Sequence, residues 1–518
     1  MLTNWDLIVR STLSPFISAF GRPIVASMFK RIASVLGVLG CVIGTIDLAI
    51  VQEQRSLPSK PLVLSHVTVI DVAAGRVKPG MTVIITGDRI EAVGPSGSVP
   101  TPGNALVVDA TGKFLIPGLW DAHYHLAHEF SANWAREVSL PLLVANGITG
   151  VRDMGGDFEL IKALRKEIAA GTLPGPRIIA AGPQLTGTSE NSVQFAASNN
   201  AEAARRSVIS LKQAGVDFIK VQSLVPRDAY FAIADETKRQ NISFVGHIPE
   251  LVSAVEASNA GQSSVEHSMG IWQSCSTAEP ELRKSMAEAL KDTKTTPDYI
   301  FARLGFGLPP RGTLDTFSDA KASQLFESFA RNGTWQVPTL VEEQSFALLV
   351  SKHLMDQRGM NFIPPAMQKP WDLPNILTPL SAEDRQDLVK IVPMMLEVVG
   401  RMHRAGVRIL AGTDAPWLVV PGFSLHDELL LLVKAGLTPA DALRGATLDT
   451  AQFLGLQHLL GTVEKGKVAD LVLLDANPLE DIRNTQKIRG VFMQGHYFDR
   501  QALDGLLQKV ETQGAATR

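Results

Sequence analysis

Between residues 116 and 455 the chain alternates eight short strand-like runs with helical stretches, and this rhythm restricts its fold more than any other feature. The runs are FLIPGLWDAH, GITGVRD, PRIIAAG, DFIKVQ, SFVGH, SSVEH, WQVPTL and VRILAGTD. Amphipathic segments such as AEAARRSVISLKQAG and RDAYFAIADETKRQN separate most of them. Short apolar strands of this kind are buried on both faces when helices cover a parallel sheet. Eight units over about 340 residues predict an α/β fold, a (β/α)8 TIM barrel. The run LTPADALRGAT carries its own start signal: Thr438 as cap, Pro439 at the first helical position and Asp441 in the first turn. Residues 269–333 and 341–407 are too long for plain connections. Both follow strands at the end of a barrel where active sites form, and long inserts there build lids and substrate walls.

Flanking the barrel, LVLSHVTVIDVAAGRV and GMTVIITGDRIEAVG alternate with period two, and GTVEKGKVADLVLLDANP and IRGVFMQGHYFD return near the far end. A lone hairpin is marginal in water. The two ends are therefore expected to pair, residues 60–115 with 456–505, into one small β-sandwich around an inserted barrel of residues 116–455. Residues 1–55 stand apart. Residues 32–51 are apolar except for Asp47 and follow Lys30 and Arg31, the pattern of an export signal or membrane anchor. Arg10, Arg22, Lys30 and Arg31 keep the N-terminal side in the cytoplasm. The expected location of the catalytic part is outside, periplasmic or extracellular, with possible attachment to the membrane through this segment. Met28 is an alternative start of translation.

Composition narrows the chemistry. A net charge of −3 without a basic stripe excludes nucleic acid as the partner. Two cysteines, Cys41 and Cys275, make neither a disulfide framework nor a thiolate zinc site. Any metal must be held by histidines and carboxylate-type ligands.

Such ligands recur at the strand ends. IPGLWDAHYHLAH places His123 and His125 two residues apart, on one face of the first strand. The fourth strand carries Lys220, the fifth ends at His247, the sixth at His267 and the eighth at Asp414. Each alone has an ordinary explanation: a histidine as a polar contact, Asp414 as a helix cap, Lys220 as a surface residue with a buried stem. Together they sit where barrel strands converge. Lys220 is flanked by Phe218, Ile219 and Val221, and burial favours its neutral amine. A neutral amine adds carbon dioxide to give a carbamate, a carboxylate-like bridge between two ions.

With these motifs, and with GVRDMGG, GPRIIAAGPQLTGT, FVGHIPE, SVEHSMG, GTDAP and GFSLHDELLLLVKAGLTPADALRGAT, the chain resembles the metal-dependent amidohydrolase superfamily. The likeness spans residues 60–500 and is nearest the imidazolonepropionase-related and prolidase-like branch with a carboxylated lysine. It implies two divalent ions, expected as Zn2+. His123, His125 and Asp414 would hold one, His247 and His267 the other, with CO2-modified Lys220 and a hydroxide bridging them. It implies hydrolysis of an amide C–N bond in a small molecule, a dipeptide or N-acyl amino acid, with Asp414 shuttling the proton. It also suggests Tyr230 as a group that polarises the scissile carbonyl; packing on the helix beside Phe231 is the plainer role. His128 and His426 are expected to be structural, Asp153 to orient a loop, Asp121 to bond backbone near the ligands, and Trp371 and Trp417 to line an apolar pocket. Two rivals stay open: a mononuclear cyclic-amide or lactone hydrolase or deaminase, and a scaffold without chemistry.

Overall fold

Period-two alternation turns the chain from Lys60 onward into strands almost at once. The computed structural model describes residues 60–291, 303–371 and 376–516, all within the unit Lys60–Arg518. The expected signal or anchor at 32–51 lies outside the described residues, among which no helix is long and apolar enough to cross a membrane. The first strands are β1 (Leu62–Asp71), β2 (Arg76–Thr86), β3 (Arg89–Pro95), β4 (Leu106–Asp109) and β5 (Phe114–Pro117). β1, β2 and β3 run antiparallel in sequence, while β4 and β5 lie parallel to β1. Gly87, at φ +59°, makes the tight turn between β2 and β3, a left-handed conformation that glycine adopts without steric cost.

The next strands are short and parallel, and all but the half-buried β8 and β10 are buried: β6 (Leu119–Tyr124), β7 (Ile148–Asp153), β8 (Arg177–Ala180), β9 (Gln184–Thr186), β10 (Phe195–Ala197), β11 (Ile219–Val221), β12 (Phe244–Gly246), β13 (Ser264–Glu266) and β14 (Trp335–Val337). They form a three-stranded sheet, β6-β7-β8, and a six-stranded sheet, β10-β9-β11-β12-β13-β14. Helices between them start and stop where local chemistry dictates. Asp157 caps Phe158–Ala169, Ser253 and Glu256 form a capping box on Ala254–Ala260, and Gly215 ends Ala201–Ala214 in the left-handed conformation. Thr438 caps Pro439–Gly445 by accepting from the Asp441 amide, as its sequence predicts.

One expected strand differs. VRILAGTD forms no strand of its own but makes isolated parallel bridges, Gln336 with Ile409 and Tyr124 with Ala415. Gly412 explains the close, irregular path: a Cβ there would lie 2.6 Å from Val337 Cγ1 and 2.8 Å from the His123 amide and Cβ. The segment still bonds both neighbours, Leu410 N–H to Gln336 O and Ala122 N–H to Ala411 O, each 2.9 Å. The fold is thus α/β with parallel sheets, and the eight runs do not register as one closed sheet.

The chain ends with β15 (Leu471–Leu474), β16 (Ile488–Met493), β17 (His496–Asp499) and the helix Arg500–Ala516. β15 pairs with β5, Val472 opposite Ile116, so both chain ends build one eight-stranded sheet, β17-β16-β15-β5-β1-β2-β3 with β4 on β1. Alternation gives it two apolar faces. Leu115, Leu471 and Leu473 join a core with Leu64, Val83 and Phe492, while Ile116, Val472 and Leu474 face the large core of the parallel strands and their helices. Bonding the two faces to separate cores fixes β6, directly after β5, against the sheet.

Candidate metal centre

Because β6 follows β5 with only Gly118 between them, its N-terminal end is anchored at the mixed sheet, while its C-terminal end lies between β7 and Ala415. His123 and His125 leave that end together with their rings 5.4 Å apart. Asp414 arrives from the bridging segment: Oδ1 stands 2.9 Å from His123 Nε2 and 3.1 Å from His125 Nε2. Yet Asp414 Oδ1 and His123 Nε2 are both buried without a hydrogen-bond partner among the described residues. The atoms converge on a common point without being aligned with one another, which is the arrangement of ligands around an ion.

The other histidines complete the cluster. The His267 ring lies 4.4 Å from that of His123 and 5.2 Å from that of His247. Among the described residues two sets have ligand atoms within 4.8 Å of one another: His123, His125 and Asp414, and His267, Glu342 and Asp414. His247 belongs to neither set, although it lines the same cavity. Lys220 lines it too, is 1% exposed, and its Nζ has no hydrogen-bond partner among the described residues. His267 and Asp414 adopt positive φ, +57° and +60°. Such backbone is costly for non-glycine residues and persists where surrounding structure enforces it.

Each imidazole is held by its Nδ1. His123 Nδ1 lies 2.8 Å from Glu266 Oε2, His125 Nδ1 3.3 Å from Gly155 O, His247 Nδ1 2.8 Å from Ser223 Oγ and His267 Nδ1 2.8 Å from Thr339 Oγ1. Glu342 Oε2 is also 2.8 Å from His267 Nδ1. With Nδ1 engaged, Nε2 is the nitrogen left for a metal, and partners of this kind fix ring orientation and tautomer. Burial, then nearby His267 and Lys220, pushes His123 down to about 4, so it is neutral and ligand-competent. Burial lowers His247 strongly as well. Burial opposes charge on Asp414, but His123 and His125 outweigh it and hold the carboxyl well below the usual range. Burial drops Lys220 to about 8 against the pull of Glu266 and Asp414, which makes its neutral amine accessible. The residues present therefore fit a site for divalent metal.

Beneath the cluster lies a network that the sequence reading passed over. Arg152 Nη2 donates to both oxygens of Glu266, at 2.9 and 2.8 Å, its Nη1 donates to Ser264, and its Nε to the Ala122 carbonyl. Burial works against the Glu266 carboxylate, but Arg152 and His123 keep it ionised. Charged residues inside apolar strands, in GVRD and SVEH, were the signal; the same argument singled out Lys220. Asp121 bonds backbone as expected, accepting from the amides of His123 and Thr413 and from Thr413 Oγ1. Asp153 accepts from the Leu126, Ala127 and Gly155 amides and so shapes the loop after β6. His426 is structural, between Thr485 and the Asn146 carbonyl.

Three expectations change. Tyr230 does not reach the cavity: it is fully buried on the helix Arg227–Gln240, and its hydroxyl donates to Gln262 at 2.7 Å. Gln262 in turn donates to the Gly246 and Ser264 carbonyls, so Tyr230 braces the strands β12 and β13. Trp371 packs in the core, whereas Trp417 lines the cavity. His128, expected to be structural, lines it as well, its ring 4.2 Å from that of Phe130. The cavity measures about 630 Å³. Both long inserts contribute walls: Met269, Leu304 and Gly307 from one, Glu342, Glu343 and Phe346 from the other.

Comparison with known proteins fits this geometry. The sequence profile of the Amidohydrolase family matches residues 114–272 and 376–497. An ochratoxinase of Aspergillus niger is 23% identical over 481 residues, covering 84% of this chain and 88% of that protein. An imidazolonepropionase of Sphingopyxis alaskensis is 27% identical over 409 residues, covering 75% and 84%. A crystal structure of a Xaa-Pro dipeptidase with methionine bound in its active site shares the fold, with a TM-score of 0.60 at 19% identity, over 85% of this chain and all of that one.

Proposed function

The chain belongs to the amidohydrolase family, metal-dependent hydrolases of C–N amide bonds, and on that premise we propose that it cleaves the amide bond of a dipeptide or N-acyl amino acid at a dinuclear site. The ligands in this reading are His123, His125 and Asp414 for one ion, His247 and His267 for the other, and carboxylated Lys220 between them, with zinc as the metal. The observation that carries it is the uniform tethering of the four imidazoles by Nδ1 beside the unpartnered Lys220 Nζ and Asp414 Oδ1.

Bound ions supply an acidified water and an electrophile for the scissile carbonyl. The chain's own residues supply the rest. The Asp414 carboxylate takes the proton of the attacking water and returns it to the departing nitrogen, a transfer that an amide leaving group requires. The Lys220 ammonium gives up one proton to become the neutral amine, whose lone pair forms a new N–C bond to carbon dioxide as one C–O π pair moves onto oxygen, and the nitrogen then loses a second proton, so a buried cation becomes an anion. Glu266, clamped by Arg152, keeps His123 in one tautomer. The walls from both inserts exclude water and orient the substrate.

Two architectural readings go with this. We read the parallel strands as a (β/α)8 barrel of residues 116–455, closed by the segment 408–415, because that segment bonds both β14 and β6. Residues 60–115 and 456–505 form the accompanying β-domain, and residues 1–55 an export signal or anchor that puts the enzyme outside the cytoplasm.

A single-ion site is the alternative, favoured by the position of His247 outside both ligand sets. Metal analysis decides: about two equivalents per active chain are expected, and fewer than one rules out the dinuclear form. Lys220→Ala should lose activity and regain part of it with a small carboxylic acid. Unchanged activity in that variant favours the single ion.

A further inference from the structure

Among the described residues, one acidic group of the cavity outside the candidate metal ligands keeps an unpartnered oxygen. Glu343 is 2% exposed, lines the cavity, and its Oε2 is buried without a hydrogen-bond partner among the described residues. Its neighbour Glu342 is committed to His267 and Thr339. Among the described lining residues, Lys220 is the one lysine or arginine, and it belongs to the candidate metal site. The carboxylic residues of the lining are Glu129, Glu342, Glu343 and Asp414. Gly307 stands over the group: a Cβ there would come within 3.2 Å of Glu343 Oε1. The glycine thus leaves the carboxyl uncrowded at the cavity wall. A buried carboxyl without a partner is costly, and such groups are retained where a ligand completes them.

Resting on the amide-hydrolase reading above, we propose that Glu343 anchors a positively charged group, an ammonium or guanidinium, carried by the substrate. The substrate class is then cationic amides, recognised by a charge-assisted hydrogen bond to Glu343 on the wall formed by the insert after β14. This bond breaks and forms no covalent linkage; it positions the amide over the metal site.

The test uses metal-replete full-length protein and amides in matched pairs. One member of each pair carries a single amine, on the acyl side, the amine side or a side chain; the other carries it acetylated or replaced by a methyl group. For at least one placement the charged member should have a kcat/KM about 10–100-fold higher, the range of a charge-assisted hydrogen bond. Glu343→Gln should collapse that ratio toward one, with the loss carried by KM and the metal content retained. Equal or better turnover of the neutral members at every placement overturns the proposal, as does a preference that survives Glu343→Gln. If no amide is turned over, the hydrolase reading fails separately. Calorimetry with the same matched pairs, such as Nα-acetyl-lysine amide against Nα-acetyl-norleucine amide, then decides the anchor: at least tenfold tighter binding of the charged member at one placement, lost in Glu343→Gln, supports it, and equal binding at every placement refutes it.

Discussion

At the floor of the cavity the imidazoles are pinned from behind: His123 by Glu266, which Arg152 holds in turn, His247 by Ser223, and His267 by Thr339 and Glu342. On the wall the pattern reverses. Among the described residues Glu343 Oε2 has no partner, nor does His128 Nδ1, and Phe130 and Trp417 line the same cavity with rings 5.6 Å apart. The contrast follows from what each surface must do. Packing like-charged or neutral ligands around an ion demands that every ring be pinned from behind. Holding a variable substrate demands that some groups be left for it to satisfy.

Substitutions separate the two surfaces. The largest effect is expected at the floor, where Asp414→Asn removes the proposed proton shuttle; kcat should fall about 10²–10⁴-fold, as steady-state assays on any accepted amide will measure. A mutant that keeps its rate would move the chemistry elsewhere. Next comes the support below the floor. Arg152→Met leaves Glu266 buried beside His123 without its cation, and urea denaturation should register a loss of about 3–5 kcal/mol. A loss near zero would mean the pair is dispensable. Ser223→Ala frees His247 Nδ1 and should weaken metal affinity about tenfold, read by competition with a chelator. The smallest effect falls on a residue assigned to neither surface. Tyr230→Phe removes one hydrogen bond to Gln262 and should cost about 1 kcal/mol in stability while kcat holds. A fall in kcat would restore Tyr230 to the substrate site.

How much of this was legible beforehand depends on distance along the chain. The strands were readable because burial imposes local period and composition, and seven of the eight runs became ladder strands. The eighth, VRILAGTD, lost its ladder because Gly412 packs against His123 and Val337, a contact no local pattern reveals. His123 and His125 announced themselves by spacing, whereas Glu266 sat unremarked beside His267 because its partner, Arg152, lies 114 residues away. Tyr230 misled for the opposite reason: it is close in sequence to Lys220, but it sits on a helix that turns it toward Gln262.

By itself the sequence determined the alternation of strands and helices, the caps that bound the helices, and the residue types at the strand ends, because each of these is set by neighbours a few positions apart. Tertiary structure alone decided which nitrogen of each imidazole is engaged, which carboxylate received an arginine and which stayed solitary. Those choices rest on contacts between segments tens to hundreds of residues apart, and desolvation and hydrogen-bond geometry exist only once the chain has brought them together.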